Sequence, residues 1–464
     1  MTETIAIRAR WALLPDGDGQ RIETDRWVLV EDGRIAALAA DRPGGADRVI
    51  DVADALVLPG LVNLHNHGIS ALLFRGIVED RPTASWAADT VYGLIMPLQG
   101  LAMEVLDAEE LRAVTALGLI GLVKGGATTV MDQFRIAQAV SFDVADELGL
   151  RFYGMPYLFS TEDLGIGADG RPIYAARAAG ETDLARAAAL FDANDGRAGG
   201  RIRAGFGPHG ADSCDPGLLA GIRDAAAARG APVTIHVSQS ATEGETLRSR
   251  YGRTPAEQLA HVGLLGPGLV AAHCVYASDG DLALIGRAGA TVVNCPASFA
   301  RGAVPAVWQR TAARGIRTGI GLDGYAMDMI GELRTAALVS KLASGRSEDA
   351  AARDLVAAAT VGGAAALGRR DIGRIAPGCR ADLAVVDLGG SHLAPVSDPL
   401  KTMVWHAGRS DIAAVLVDGR VVVENGRHLL VDEGQIVADG AAAVRKVWNE
   451  GRARGYIRDG EIVG

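Results

Sequence analysis

A chain of 464 residues has room for one large α/β domain of about 250 to 300 residues and a smaller unit beside it. Its formal charge of −10, with no run of lysine or arginine, argues against nucleic acid or an acidic membrane surface as a partner. Apolar residues make up 49% of the chain, yet no stretch of about 18 is free of charges and breaks, and "MTETIAIRAR" is not a basic-then-apolar leader, so no membrane span and a cytoplasmic location are expected.

Residues 1–56 give short β-like runs, "TIAIRARWALL", "RWVLVEDGRIAAL" and "RVIDVADALVL", broken by the turn chemistry of "PDGDG", "EDGR" and "RPGGAD". From 57 to 371, β-branched runs such as "ATTVMDQF", "APVTIHVSQS", "GLVAAHCV" and "IRTGIGLDG" alternate with Ala/Leu-rich helical stretches. Seven or eight such repeats predict a parallel α/β architecture, a (β/α)8 TIM barrel. Residues 372–430 turn β again, with "DG" and "NG" hairpin signals in "DIAAVLVDGRVVVENGRHLLV", and are expected to form one small composite β-sandwich with residues 1–56. Residues 431–464 form a final helix, "QIVADGAAAVRKVWNEGRARG", and a tail. Cys214, Cys274, Cys295 and Cys379 show neither CxxC pairs nor a disulfide framework and are expected to be free thiols.

The stretch "LVNLHNHGIS" places His65 and His67 two apart, on one face of an extended strand. Four later strands each carry one ionisable group near the C-terminal end: His209 in "FGPHG", His236 in "TIHVSQ", His273 in "AAHCV" and Asp323 in "GIGLDG". A single histidine ending an apolar strand is more often an ordinary core or loop residue. Five such strand ends converging on one barrel mouth, where catalytic groups of barrels sit, are a constellation. Imidazoles and a carboxylate around an open position suit zinc, and also iron, cobalt or manganese.

The run of motifs "LVLPGLVNLHNHG", "GFGPHGADSCDPGLL", "TIHVSQ", "AAHC", "VVNCPAS", "GIGLDG" and "GRIAPGCRADLAVVDL" resembles the amidohydrolase superfamily. The likeness is to its deaminase-like branch of cytosine, guanine and S-adenosylhomocysteine deaminases and triazine hydrolases. That resemblance implies a mononuclear centre with His65, His67, His236 and Asp323 as ligands. His273 would hold and deprotonate the metal-bound water, Asp323 would share in the proton transfer, and His209 would touch the substrate. Binuclear relatives place a lysine on strand four, where this chain has His209, so one metal ion is implied, zinc first.

The departures bear on function. The branch carries HxxE on strand five and this chain has "HVSQ", so Gln239 stands where a proton donor is expected; an amide only donates and accepts hydrogen bonds. Glu243 or Glu245 beyond it could take the acid role. The family's HCPxSN reads "NCPAS", with Asn294, and Tyr325, Met327 and Met329 would make the pocket more apolar if they face it. The segment "HGISALLFRGIVEDRPTASWAADTVYGLIMPL" is expected to cover the mouth, bringing Phe74, Arg75, Trp86 and Tyr92 within reach of a small-molecule substrate. Arg75 would bind a carboxylate or brace the loop through Glu79 or Asp80. Two enzymatic readings follow. One is hydrolysis of an amide, urea, carbamate or lactam, favoured by Gln239; the other is deamination or dechlorination of a triazine, purine or pyrimidine. A non-catalytic barrel is a third and weaker reading, since no ligand is lost. Relatives are commonly dimers or tetramers, and a homo-oligomer is expected.

Overall fold

The computed structural model describes residues 3–17, 19–81, 86–166, 172–176, 180–305, 308–458 and 460. Strands from both ends of the chain pair into one nine-stranded sheet. Its joint is the strand Ala55–Pro59, parallel to Ile5–Asp16 through Trp11 and Leu56, and antiparallel to Leu383–Asp387 through Leu58 and Ala384. Ile5, Ile7, Val28 and Val30 from one end and Leu383, Val385 and Leu416 from the other share one apolar cluster. The dipeptides Asp32-Gly33, Asp418-Gly419 and Asn425-Gly426 all have positive φ, between 48° and 74°, the requirement of the type I′ turns that match strand twist. Two of these turns abut: a Cβ on Gly419 would stand 2.6 Å from Gly33 Cα, so both positions exclude side chains.

Between the two ends run eight parallel strands, numbered in chain order. They are β1 (Leu61–Asn66), β2 (Ala127–Phe134), β3 (Arg151–Leu158), β4 (Ile202–Ala204, continued by Gly207–Pro208), β5 (Val233–Val237), β6 (Leu269–His273), β7 (Thr291–Asn294) and β8 (Thr318–Ile320). β1 to β4 form one sheet and β5 to β8 another. The sheets meet at parallel bridges, Phe206 to Val233 and Gly210 to His236 on one side and Asn66 to Asp323 on the other, giving the barrel arrangement expected for an alternating βα chain. Every residue of β1, β2, β5, β6 and β7 is buried, as expected for parallel strands covered on both faces.

The helix Ala108–Lys124 starts at a capping box formed by Asp107 and Glu110. The C-terminal helix Glu433–Ala453 lies across it, with Gly440 admitting Leu117. Beneath the barrel, the fully buried Arg151 at the start of β3 makes a two-pronged ion pair with Asp382 at 2.6 and 3.0 Å and a third bond to Asp418 at 2.6 Å, tying the barrel to the sheet. All four cysteines are free thiols. Among the described residues no helix is long and apolar enough to cross a membrane.

Candidate metal centre

His65 and His67 leave β1 toward the C-terminal mouth of the barrel, where His236 ends β5, His273 ends β6 and Asp323 follows β8. His273 (φ 76°) and Asp323 (φ 56°) sit in the left-handed region, an unfavourable conformation for residues with a Cβ; the strand ends turn sharply there. The His65 ring centroid lies 4.7 Å from His67, 4.9 Å from His236 and 4.8 Å from His273. His67 Nε2 is 3.3 Å and His65 Nε2 3.8 Å from Asp323 Oδ1.

Hydrogen bonds at the far side of two rings fix which nitrogen faces inward. His67 Nδ1 donates to the Gln133 carbonyl at 3.1 Å and His236 Nδ1 to the His209 carbonyl at 2.6 Å. Both Nε2 atoms are therefore bare lone pairs, yet they stand 3.3 Å apart. His65 is fully buried with neither ring nitrogen partnered. Lone pairs facing one another beside a carboxylate are unfavourable until a cation lies between them, so the residues fit a divalent metal. Burial, reinforced by the neighbouring imidazoles, holds His65 and His236 well below the ordinary histidine range. Burial and His67 push His273 down to about 3. Neutral imidazole is the ligating form.

A cavity opens over these groups. His67, His209, His236, Gln239, His273 and Asp323 line it, together with Phe74 and Tyr325. His209 is held by Ser213 Oγ at 2.8 Å. Gln239 donates to the Tyr92 hydroxyl at 3.3 Å. Glu243 is fully buried and receives the backbone N–H groups of Ser238 and Gln239; it braces that turn and does not line the cavity. Glu245 lies exposed on the following helix.

Other expected positions differ. Arg75 is exposed, and its guanidinium meets Met327 Sδ at 3.4 Å; Glu79, the expected brace, pairs instead with Arg301. The loop turns Arg75 outward because Phe74, its neighbour, is buried in the cavity wall. Asn294 is buried at the end of β7 with Nδ2 unpartnered, outside the cavity lining. Met329 lies in the barrel's outer apolar core and Met327 packs against it, leaving Tyr325 alone of the three at the cavity. Trp86 begins the π-helix Trp86–Ile95, and its side chain lies outside the described residues.

Two groups escaped the sequence reading. Tyr157, at the end of β3, puts its hydroxyl 3.0 Å from His67 Nδ1; burial and Asp323 keep that hydroxyl protonated. Asp132 Oδ1 accepts Asn66 Nδ2 at 2.6 Å and the Gly68 N–H at 2.7 Å, clamping the turn that follows β1. A charged residue inside the apolar run "ATTVMDQF" was the available signal.

Residues 56–422 match the sequence profile of the Amidohydrolase family. The chain is similar to a 5'-deoxyadenosine deaminase of Methanosarcina mazei, 31% identical over 96% of this chain and 98% of that protein. It is also similar to a 5-methylthioadenosine/S-adenosylhomocysteine deaminase of Desulforudis audaxviator, 34% identical over 90% and 94%. Among solved structures it is similar to a zinc-bound adenosine deaminase from Xanthomonas campestris, with TM-score 0.83, 25% identity and coverage of 96% and 98%. A zinc complex of the atrazine chlorohydrolase of Arthrobacter aurescens gives TM-score 0.83, 25% identity and coverage of 95% and 100%.

Proposed function

The chain belongs to the amidohydrolase family and is a hydrolase acting on carbon–nitrogen bonds, and from that premise we propose that it deaminates an amino-substituted nitrogen heterocycle at a mononuclear metal centre. The observation that carries the reading is the pair of bare Nε2 atoms of His67 and His236 beside Asp323, in the lining of the cavity. His65, His67, His236 and Asp323 would hold the ion, with zinc first and iron, cobalt or manganese as alternatives. A divalent ion bound there lowers the pKa of water from about 15.7 to about 7, supplying a nucleophile at neutral pH.

The chain's own groups do the rest. Asp323 takes the proton of the attacking water and returns it to the departing amine, and neutral His273 orients that water by a hydrogen bond. His209, fixed by Ser213, and Gln239 hold the ring, and the Tyr157 hydroxyl is a further donor at the mouth. Arg75, Trp86 and Asn294 have no assigned task in this reading. The division of the chain at 56/57, 371/372 and 430/431, the two ends read as one β-sandwich, a cytoplasmic location and a dimer or tetramer belong to the same proposal.

Hydrolysis of an amide, urea, carbamate or lactam is a second reading, favoured by Gln239, whose amide cannot deliver a proton. Zinc-reconstituted protein offered 5'-deoxyadenosine, S-adenosylhomocysteine, guanine-type and aminotriazine rings beside a panel of amides, ureas and carbamates decides between them. Ammonia release from a ring is the expected result. Turnover confined to the open-chain carbonyl compounds overturns it.

A further inference from the structure

Gln239 is held in one orientation by a chain of hydrogen bonds that runs away from the cavity. Its backbone N–H and that of Ser238 both end on Glu243, at 2.8 and 2.9 Å. Its side-chain Nε2 donates to the Tyr92 hydroxyl at 3.3 Å, and that hydroxyl donates to Asp212 Oδ2, also at 3.3 Å. A carboxylate only accepts, and a hydroxyl has a single hydrogen. The polarity therefore runs from Gln239 through Tyr92 to Asp212, and the amide nitrogen is the end turned toward Tyr92. Flipping the amide would set Oε1 against the Tyr92 oxygen, two acceptors face to face in a buried place. Tyr92 and Asp212 are 1% and 2% exposed. Gln239 thus offers the cavity an acceptor, Oε1, at the position where the resembled branch offers a proton donor.

The geometry points to a substrate that donates a ring N–H to Gln239: a lactam or cyclic-guanidine heterocycle, of the guanine or isocytosine type. In an adenine-type ring the nitrogen beside the amino-bearing carbon is a bare acceptor and would meet Oε1 lone pair to lone pair. Sites built around one hydrogen-bonding partner reject the analogue that lacks it strongly. This inference rests on the deaminase reading for its choice of ring class, and it separates the protein from the adenosine-type substrates in the names of its relatives.

The test is stopped-flow binding, before turnover, of guanosine, 1-methylguanosine and adenosine to the zinc-loaded protein. Guanosine is expected to bind at least tenfold more tightly than the other two. Tyr92→Phe, which frees the amide to rotate, should keep its zinc and bring the three affinities to within about threefold. Should Tyr92→Phe fail to fold, Gln239→Met should weaken guanosine about tenfold and leave 1-methylguanosine unchanged. The inference is overturned by 1-methylguanosine or adenosine binding as tightly as guanosine, by no binding of guanosine, or by a preference that persists in folded Tyr92→Phe or in Gln239→Met. Ammonia release is read separately. Release from adenosine with no guanosine preference sinks the inference and keeps the deaminase reading; a guanosine preference with no release from any ring does the reverse.

Discussion

Asp323 and His65 hold one another twice: the Asp323 backbone N–H donates to the His65 carbonyl at 2.9 Å, and the Asp323 carboxylate stands 3.8 Å from His65 Nε2. The seam that closes β8 onto β1 therefore also joins two of the proposed metal ligands. His65→Ala and Asp323→Ala should each drop bound metal from about one ion per chain to near none and abolish turnover. Full metal occupancy with normal rates in either variant would remove these residues from the centre.

His273 is the separable member of the cluster. Its ring lies 4.8 Å from His65 and 5.2 Å from His236, and Nδ1 has no partner. If it orients water rather than binding the ion, His273→Asn keeps most of the metal and loses about a hundredfold in kcat. Parallel loss of metal and rate, followed by metal analysis, would make it a ligand.

Gln239→Glu restores the carboxyl of the resembled deaminases. Deamination of adenine-type rings, whose bare nitrogen needs a proton, should rise in kcat/KM, while guanine-type rings should lose at least tenfold relative to them. A fall on every heterocycle with unchanged hydrolysis of carbonyl compounds would favour the second reading.

Gly118, in the helix Ala108–Lys124, touches the turn after His67 backbone to backbone: a Cβ there would come within 2.0 Å of the Gly68 carbonyl oxygen. Gly118→Ala must displace that turn or the helix, at a cost of about 1–3 kcal/mol. We expect a lower Tm together with metal binding weakened about tenfold or more, the turn being displaced beside a ligand. A lower Tm with unchanged metal affinity would show that the helix moves instead.

Glu332 is buried behind the cavity wall, where Oε1 accepts the Ala297 N–H beside Ser298 and Phe299. Burial, opposed by that bond, pushes its carboxyl up from 4.5 to about 8. Between those values the folded chain keeps a proton that the unfolded chain has lost, so this group makes stability fall as pH rises through the window, with no further change above it. Glu332→Gln, always neutral, should gain Tm relative to the parent on going from pH 5 to pH 8. A constant difference across that range would show that Glu332 titrates normally.

The metal-centre candidates were legible because their residue types are rare near the ends of apolar strands: His65 and His236 are the next-to-last residues of their strands, and His67 and Asp323 follow theirs. The barrel was legible from the alternation of runs, and the joined ends from the Asp-Gly and Asn-Gly turns. Tyr157 was not, because one more aromatic at the end of "RFYGMPYL" looks like core until its hydroxyl is seen against His67. Tyr92 was within expected reach, but nothing in its surroundings announced that it would turn the Gln239 amide. Arg75 misled because local acids suggested a partner, whereas Glu79 was taken by Arg301, 222 positions further along in the chain and close only in space.

The buried arginine under the barrel has a temporal consequence. Arg151 meets Asp382 across 231 residues and Asp418 across 267, so a ribosome delivers the cation long before either counter-charge. Until residue 382 has emerged, docking β3 against the barrel floor would strand an unpaired guanidinium away from water, and the third bond waits for Asp418. Seating β3 on the sheet is therefore favoured only after a segment 231 residues further along the chain is available, which makes this a contact of high sequence separation that forms late in folding.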